Sequence, residues 1–175
     1  VSASVAELLR ELGVTPAELR RRGLKRYAQA RTLTPVGLGT DGRDKLLRPR
    51  AARAWHSMCE AAAGEGIELL LISAFRSVDY QMHLIRAKLA RGMTIEDILR
   101  VNAPPGHSEH HTGLAVDIGS ADVGALDEAF EDTPAFAWLM ANAQRFGFVM
   151  SYPRNNAQGY LYEPWHWCWK PRPRG

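Results

Sequence analysis

Apolar and polar positions along this chain switch repeatedly between a helical and an extended rhythm. Between Arg48 and Ala63 the residues Ala51, Ala54, Trp55, Met58 and Ala62 recur every three or four positions, as on one buried helix face. Gly64 and Gly66 end that helix, and Ile67–Ser73 follows as an apolar run of strand length. Asp79–Ala90 returns to helical period through Met82, Leu84, Ile85 and Leu89, and Thr94-Ile95-Glu96-Asp97 opens another helix with a capping pattern. After the loop Ala103-Pro104-Pro105-Gly106, Gly113–Gly119 reads as a strand bounded by glycines. Thr133 caps a predicted helix over Pro134–Phe146, which Gly147 stops. Phe148–Tyr152 and Tyr160–Trp169 read as extended segments, the second interrupted at Pro164.

The N-terminal part has a different rhythm. Ser4–Leu12 is a short amphipathic helix, and Thr15-Pro16-Ala17-Glu18 starts a second that ends near Gly23, with Thr as cap and Pro in the first turn. Residues 24–46 are mixed, with Gly37, Gly39 and Gly42 marking loops. About forty residues rarely bury a core of their own. Residues 1–44 are therefore expected to be a helical arm packed on the body formed by residues 45–175. Helices and strands mix without a repeating strand–helix unit, which predicts an α+β fold rather than a doubly wound sheet.

Composition narrows the class. At 175 residues, 46% apolar and 23% charged, the chain has globular usage, which excludes a disordered, collagen-like or disulfide-framework protein. No apolar run approaches the ~20 residues of a membrane-spanning helix. Val1–Leu12 is interrupted by Glu7, Arg10 and Glu11 and is not a signal peptide. The net charge of +3 hides an asymmetry: residues 1–53 carry 12 Lys/Arg against 5 Asp/Glu, and residues 54–175 carry 10 against 14. Such a basic arm fits either an anionic partner or a solvated helical face. Nucleic acid is the weakest candidate, because Tyr27 is the sole aromatic residue among residues 1–53. Cys59 and Cys168 are too few for a disulfide framework; one long-range disulfide fits an exported chain, and Cys59 reads better as a small core residue.

Candidate chemistry concentrates in two segments. Gly106-His107-Ser108-Glu109-His110-His111-Thr112-Gly113 leads into a strand carrying Asp117, and Glu163-Pro164-Trp165-His166 lies far along the chain. Imidazoles and carboxylates suit zinc, which in catalytic sites takes three protein ligands. Spacing alone leaves His107, His110 and His111 all open as ligands. Asp117 on an otherwise apolar strand needs a buried partner: a metal or an ion pair with Arg76 both satisfy it. Glu163 and His166, three apart across a Pro-Trp turn, read either as base and ligand or as a surface acid and a core histidine. Arg76 at a strand exit can grip a carboxylate or an oxyanion with its planar fork, or stay solvated. A Cys168–His166 pair lacks the geometry of a nucleophile and base, and Ser108 lacks the strained turn of a serine nucleophile.

Taken in order, Ser73-x-Phe75-Arg76-Ser77-x-x-x-Gln81, Ser108-x-His110-x-x-Gly113-x-Ala115-x-Asp117 and Glu163-x-Trp165-His166 resemble the VanY-type D-alanyl-D-alanine carboxypeptidases. These are zinc peptidases related to lysostaphin-like and hedgehog-like domains. The resemblance also takes in Phe146-Gly147-Phe148, Tyr152-Pro153 and Gly159-Tyr160, over roughly residues 45–170. It implies a small antiparallel sheet flanked by helices, with a metal cleft on the sheet. It further implies one zinc ion held by His110, Asp117 and His166, and Glu163 as general base. By the same resemblance Arg76 is the electrophile or substrate clamp, and Gln81 and Ser108 are substrate contacts. After His166 the chain departs from the family pattern, reading Trp167-Cys168-Trp169-Lys170 where many relatives carry an Arg-Tyr-Val type strand.

The expected activity is hydrolysis of the bond before the C-terminal D-alanine of peptidoglycan stem peptides or their precursors. L,D-carboxypeptidase, dipeptidase and endopeptidase action are alternatives at the same site, and a catalytically silent zinc-containing cell-wall-binding module is the rival of another class. A monomer without nucleic-acid partner or transmembrane segment is expected. The expected location is the periplasm or cell envelope, with the leader absent from this sequence; the cytoplasm is the alternative.

Overall fold

A computed structural model describes residues 3–171. Helices α1 (Val5–Glu11) and α2 (Pro16–Arg21) open the chain, followed by a hairpin of β1 (Thr34–Leu38) and β2 (Asp44–Leu47). Then come α3 (Pro49–Gly64), β3 (Leu70–Ser73), α4 (Val78–Ala90), α5 (Ile95–Val101), β4 (Ala115–Gly119), α6 (Pro134–Asn142), β5 (Phe148–Met150) and β6 (His166–Trp169). Strands β3–β6 form one antiparallel sheet in the order β3–β4–β6–β5, so the fold is α+β as expected.

The sheet has two unlike faces because successive side chains on a strand point to opposite sides. Val116 and Ile118 of β4 and Trp167 of β6 enter the main core with Trp55 and Met58 of α3 and Trp138 and Leu139 of α6. On the other face Asp117 stands directly opposite His166 across the β4–β6 ladder, and Ser73 pairs with Asp117 from the other side. Every residue of β4 is buried. An ionisable pair therefore sits mid-sheet, on rigid backbone, where only specific partners can hold it.

The arm has its own contact surface. Leu8, Leu12 and Val14 pack with Met82 and Ile85 of α4 and Ile98 and Leu99 of α5 in a second apolar cluster. Beyond α2 the chain runs along the histidine loop: Tyr27 N donates to Gly106 O and Ala30 N to His111 O, both at 2.8 Å. Arg22, one of the basic residues of the arm, donates to the Gln158 and Leu99 carbonyls and lies over the Tyr160 ring. Part of the basic excess is thus structural.

Several element boundaries differ from the sequence reading. The hairpin of β1 and β2 occupies part of the mixed stretch 24–46; its alternation is broken by a register shift between Pro35 and Gly37, with Gly37 at φ +109°. The strand expected over Ile67–Ser73 is paired only from Leu70. The helix expected over Pro134–Phe146 stops at Asn142 and continues as a 3-10 turn over Ala143–Phe146. There Asn142 leaves helical geometry, at φ −124°, and its side chain donates back to Trp138 O at 2.9 Å. No helix among the described residues is long and apolar enough to cross a membrane.

Candidate metal centre

The histidine loop is shaped by its own side chains. Ser108 caps a 3-10 turn, Glu109–Thr112, by accepting from His110 N at 3.3 Å, and Gly113 closes the turn at φ +66°. A Cβ at Gly113 would approach Leu33 Cδ2 to 2.8 Å, so the close packing of the arm also requires glycine.

Three histidines leave this loop, and their hydrogen bonds tell them apart. His111 Nδ1 donates to Arg76 O at 2.7 Å while its Nε2 accepts from Gly106 N at 3.1 Å, so both nitrogens are occupied by backbone. His107 Nδ1 donates to Lys25 O at 2.9 Å and ties down the arm. His110 Nδ1 donates to Ala74 O at 2.6 Å, which fixes the tautomer and leaves a lone pair on Nε2. That Nε2 is buried without a hydrogen-bond partner and lies 3.2 Å from Asp117 Oδ2. A buried nitrogen with a free lone pair beside a carboxylate fits a cation shared by the two.

Asp117 also lies 3.1 Å from His166 Nδ1, through Oδ1. Ligand atoms of His110, Asp117 and His166 all fall within 4.8 Å of one another, close enough for one ion. Arg76 Nη2 is 3.9 Å from Asp117 Oδ2, further than either histidine, so the carboxylate is held chiefly by imidazoles and Arg76 flanks it. Burial opposes the charge on Asp117, but His110 and His166 hold its carboxyl well below the usual range. Burial likewise drives the His110 pKa down to about 4, keeping it neutral and able to donate its lone pair.

His166 is held from behind by Glu109. Its Nε2 is 3.0 Å from Glu109 Oε2, which also accepts from Ser151 Oγ at 2.5 Å; Lys170 Nζ donates to Glu109 Oε1 at 3.0 Å. Burial lowers the His166 pKa, but hydrogen bonds to Asp117 and Glu109 outweigh it and push it up to about 10 in the metal-free site. The Tyr152 ring packs on the imidazole, with centroids 4.7 Å apart. Orientation of a ligating histidine by a carboxylate on its far nitrogen is common in metal sites. Sequence reasoning quoted Glu109 within the histidine motif and gave it no role. The one signal the sequence carries is an acid beside His110; the burial and the distant partners that give it a role appear only in the structure.

Glu163 comes to the same place on a rigid turn. Its N donates to Tyr152 O at 3.1 Å, its O accepts from His166 N at 3.1 Å, and Trp167 Nε1 donates to Pro164 O at 2.9 Å. Its Oε2 is 3.8 Å from His166 Nδ1, beside the donor triad. Glu163 is buried, not a surface acid, and burial raises its pKa to about 7 against the pull of His166.

A cleft of about 220 Å³ opens on these groups, lined by Arg76, Lys88, Ser108, Tyr152, Glu163 and Trp165 together with the triad. Ser108 is thus on the wall. Gln81 is fully buried and is not among the lining residues; its Nε2 donates at 2.8 Å to the carbonyl of Ala103, which is. Cys59 and Cys168 are free thiols, and burial pushes both up to about 12, far from thiolate chemistry at neutral pH.

The donor set, the oriented tautomers and the adjoining acid together have the form of a hydrolytic metal site. The comparisons with known proteins agree. The VanY D-alanyl-D-alanine carboxypeptidase family matches residues 44–172, and the chain belongs to that family. It is 40% identical over 126 residues to the putative carboxypeptidase YodJ of Bacillus subtilis (strain 168), covering 70% of this chain and 45% of that relative's length. Its structure resembles that of the LdcB LD-carboxypeptidase, described with the molecular basis of peptidoglycan recognition (TM-score 0.72, 34% identity, 81% of this chain and 69% of the other). It also resembles the vancomycin-resistance D,D-pentapeptidase VanY, in a mutant form complexed with Zn(II) (TM-score 0.60, 25% identity, 78% of each chain).

Proposed function

We propose that this chain is a zinc-dependent carboxypeptidase that hydrolyses the bond before the C-terminal D-alanine of peptidoglycan stem peptides. The observation that carries this reading is the convergence of an orphan His110 Nε2, Asp117 and His166 with Glu163 beside them. A zinc ion held by the three ligands would supply Lewis-acid polarisation of the scissile carbonyl and acidify a nearby water. Glu163 takes the proton of the attacking water and delivers it to the leaving amine, tasks that a pKa of about 7 suits at neutral pH. Arg76, on the cleft wall beside Asp117, donates to the oxygen on which negative charge develops. Glu109 keeps His166 turned with Nδ1 toward the site.

Arg76→Ala is expected to lower kcat by about 10²–10³-fold, the loss typical of one oxyanion donor, with a smaller change in KM. Steady-state kinetics check this. A change confined to KM would reassign Arg76 to ground-state substrate binding.

The resemblance to an LD-carboxypeptidase favours a second reading, removal of D-alanine from a tetrapeptide by the same machinery. Mass spectrometry of products from defined pentapeptide and tetrapeptide muropeptides, with a chelator control, separates the two. Loss of one D-alanine from the pentapeptide supports D,D-cleavage, and loss from the tetrapeptide supports L,D-cleavage. No product from either would leave the silent cell-wall-binding module. Such substrates favour a working site in the cell envelope; action on soluble precursors is the cytoplasmic alternative.

A further inference from the structure

Two cations look into the cleft, and the mechanism uses one of them. Arg76 is anchored against Asp117, next to the metal-ligating atoms. Lys88 lines the same cleft from α4, seven residues after Gln81 and so two turns further along the same helix face. Both side chains hold the segment that follows α5: Gln81 Nε2 donates to Ala103 O, and Lys88 Nζ donates to Asn102 Oδ1 at 2.5 Å. Lys88 is half-buried, and among the described residues no carboxylate lies within salt-bridge distance of its ammonium.

A half-buried ammonium near a guanidinium is unfavourable unless an anion joins them. Burial, and after it the Arg76 charge, push the Lys88 pKa down, with Glu163 pulling the other way. Asn102 is neutral and supplies no counter-charge. Nζ carries three protons and gives one to Asn102, so donors remain for a ligand. The carboxylate of a single leaving residue lies about one residue length, ~3.5 Å, beyond the scissile carbonyl. A cation that binds it is therefore separate from the one at the reacting carbonyl, and Lys88 is the second cation lining the cleft.

We propose that Lys88 binds the C-terminal carboxylate of the peptide substrate and so restricts the cleft to chain ends. The inference rests on the carboxypeptidase reading and deepens it. Lys88 is then the residue that separates exopeptidase from endopeptidase action: an internal peptide bond offers it no anion and leaves its ammonium without a counter-charge, while Arg76 keeps Asp117.

The test uses the zinc-loaded full chain, as wild type, Lys88→Met and Lys88→Arg. Each is assayed on the stem peptide that the wild type cleaves and on the C-terminal amide of that peptide. Zinc content and melting temperature confirm that the variants are folded, and Lys88→Gln replaces Lys88→Met if the latter loses zinc. The wild type should prefer the free acid over the amide by about tenfold or more, the worth of a charge-assisted hydrogen bond. Lys88→Met should raise KM for the acid by about the same factor, leave kcat within a few-fold, and erase the preference over the amide. Lys88→Arg should keep most of the preference. An unchanged KM and acid preference in Lys88→Met overturns the proposal while the carboxypeptidase reading stands, and so does a wild type that cleaves acid and amide equally. A wild type that cleaves neither stem peptide overturns the carboxypeptidase reading, and the Lys88 proposal falls with it.

Discussion

Glu163→Gln keeps the metal and lowers turnover by about 10²–10⁴-fold, the span usual for loss of a general acid–base group. The substitution keeps the shape of the side chain and its backbone anchors to Tyr152 and His166, but the amide cannot accept the water proton. In the proposed site the three ligand atoms belong to His110, Asp117 and His166 and none to Glu163, so zinc content should stay near one per chain. Stability should not fall, because the change removes a carboxyl whose charged form burial already disfavours. Metal analysis, melting temperature and kcat measured on the same preparation check all three points. Retained turnover would remove Glu163 from the mechanism, and loss of zinc would make it a ligand.

Strong periodicity was legible in the sequence, and register was not. The face of α3 through Ala51, Trp55, Met58 and Ala62 follows directly from helical spacing, and all four residues are buried. Asp117 stood out because a carboxylate on a strand of Leu, Ala, Val and Ile must have a partner. The hairpin of β1 and β2 escaped because Pro35 and Gly37 break the alternation at the bulge. The end of α6 escaped because Asn142 leaves helical geometry, at φ −124°, and the chain tightens into a 3-10 turn while the apolar spacing runs on. Both misses are cases where a local departure in backbone geometry breaks the pattern of apolar residues.

The site shows the same division. Residue types and spacing brought forward His107, His110 and His111 as equals, and the family resemblance selected His110. The structure supplies the physical reason. Backbone groups occupy both nitrogens of His111 and hold His107 to the arm, while His110 spends Nδ1 on Ala74 and keeps Nε2 free. None of these bonds is visible in a motif, since Lys25, Ala74 and Arg76 act through their carbonyls. Lys88 and Glu109 were passed over for a related reason. Their roles depend on burial and on partners far away in sequence: Lys170 lies 61 positions from Glu109, and Asn102 lies 14 from Lys88.

His166→Ala is expected to abolish both zinc binding and activity, and to destabilise the metal-free chain as well. The imidazole bridges two buried carboxylates, Asp117 and Glu109. Its removal leaves Asp117 with His110 and the more distant Arg76, and Glu109 with Ser151 and Lys170. Breaking a buried charge pair from one side costs about 3–5 kcal/mol; the surviving partners keep the loss toward the lower end. For a chain of this size that is a fall in melting temperature of roughly 10 °C. His110→Ala should lose zinc equally but cost the apo chain less, because the bond it breaks from Nδ1 is to the neutral carbonyl of Ala74. Melting both variants and the wild type in chelator isolates this difference, since bound metal would add its own stabilisation to the wild type alone. Zinc retained at one per chain in His166→Ala would remove His166 from the ligand set. Equal melting temperatures for apo wild type and apo His166→Ala would show that the Asp117–His166–Glu109 bridge adds nothing to the fold and serves the metal only.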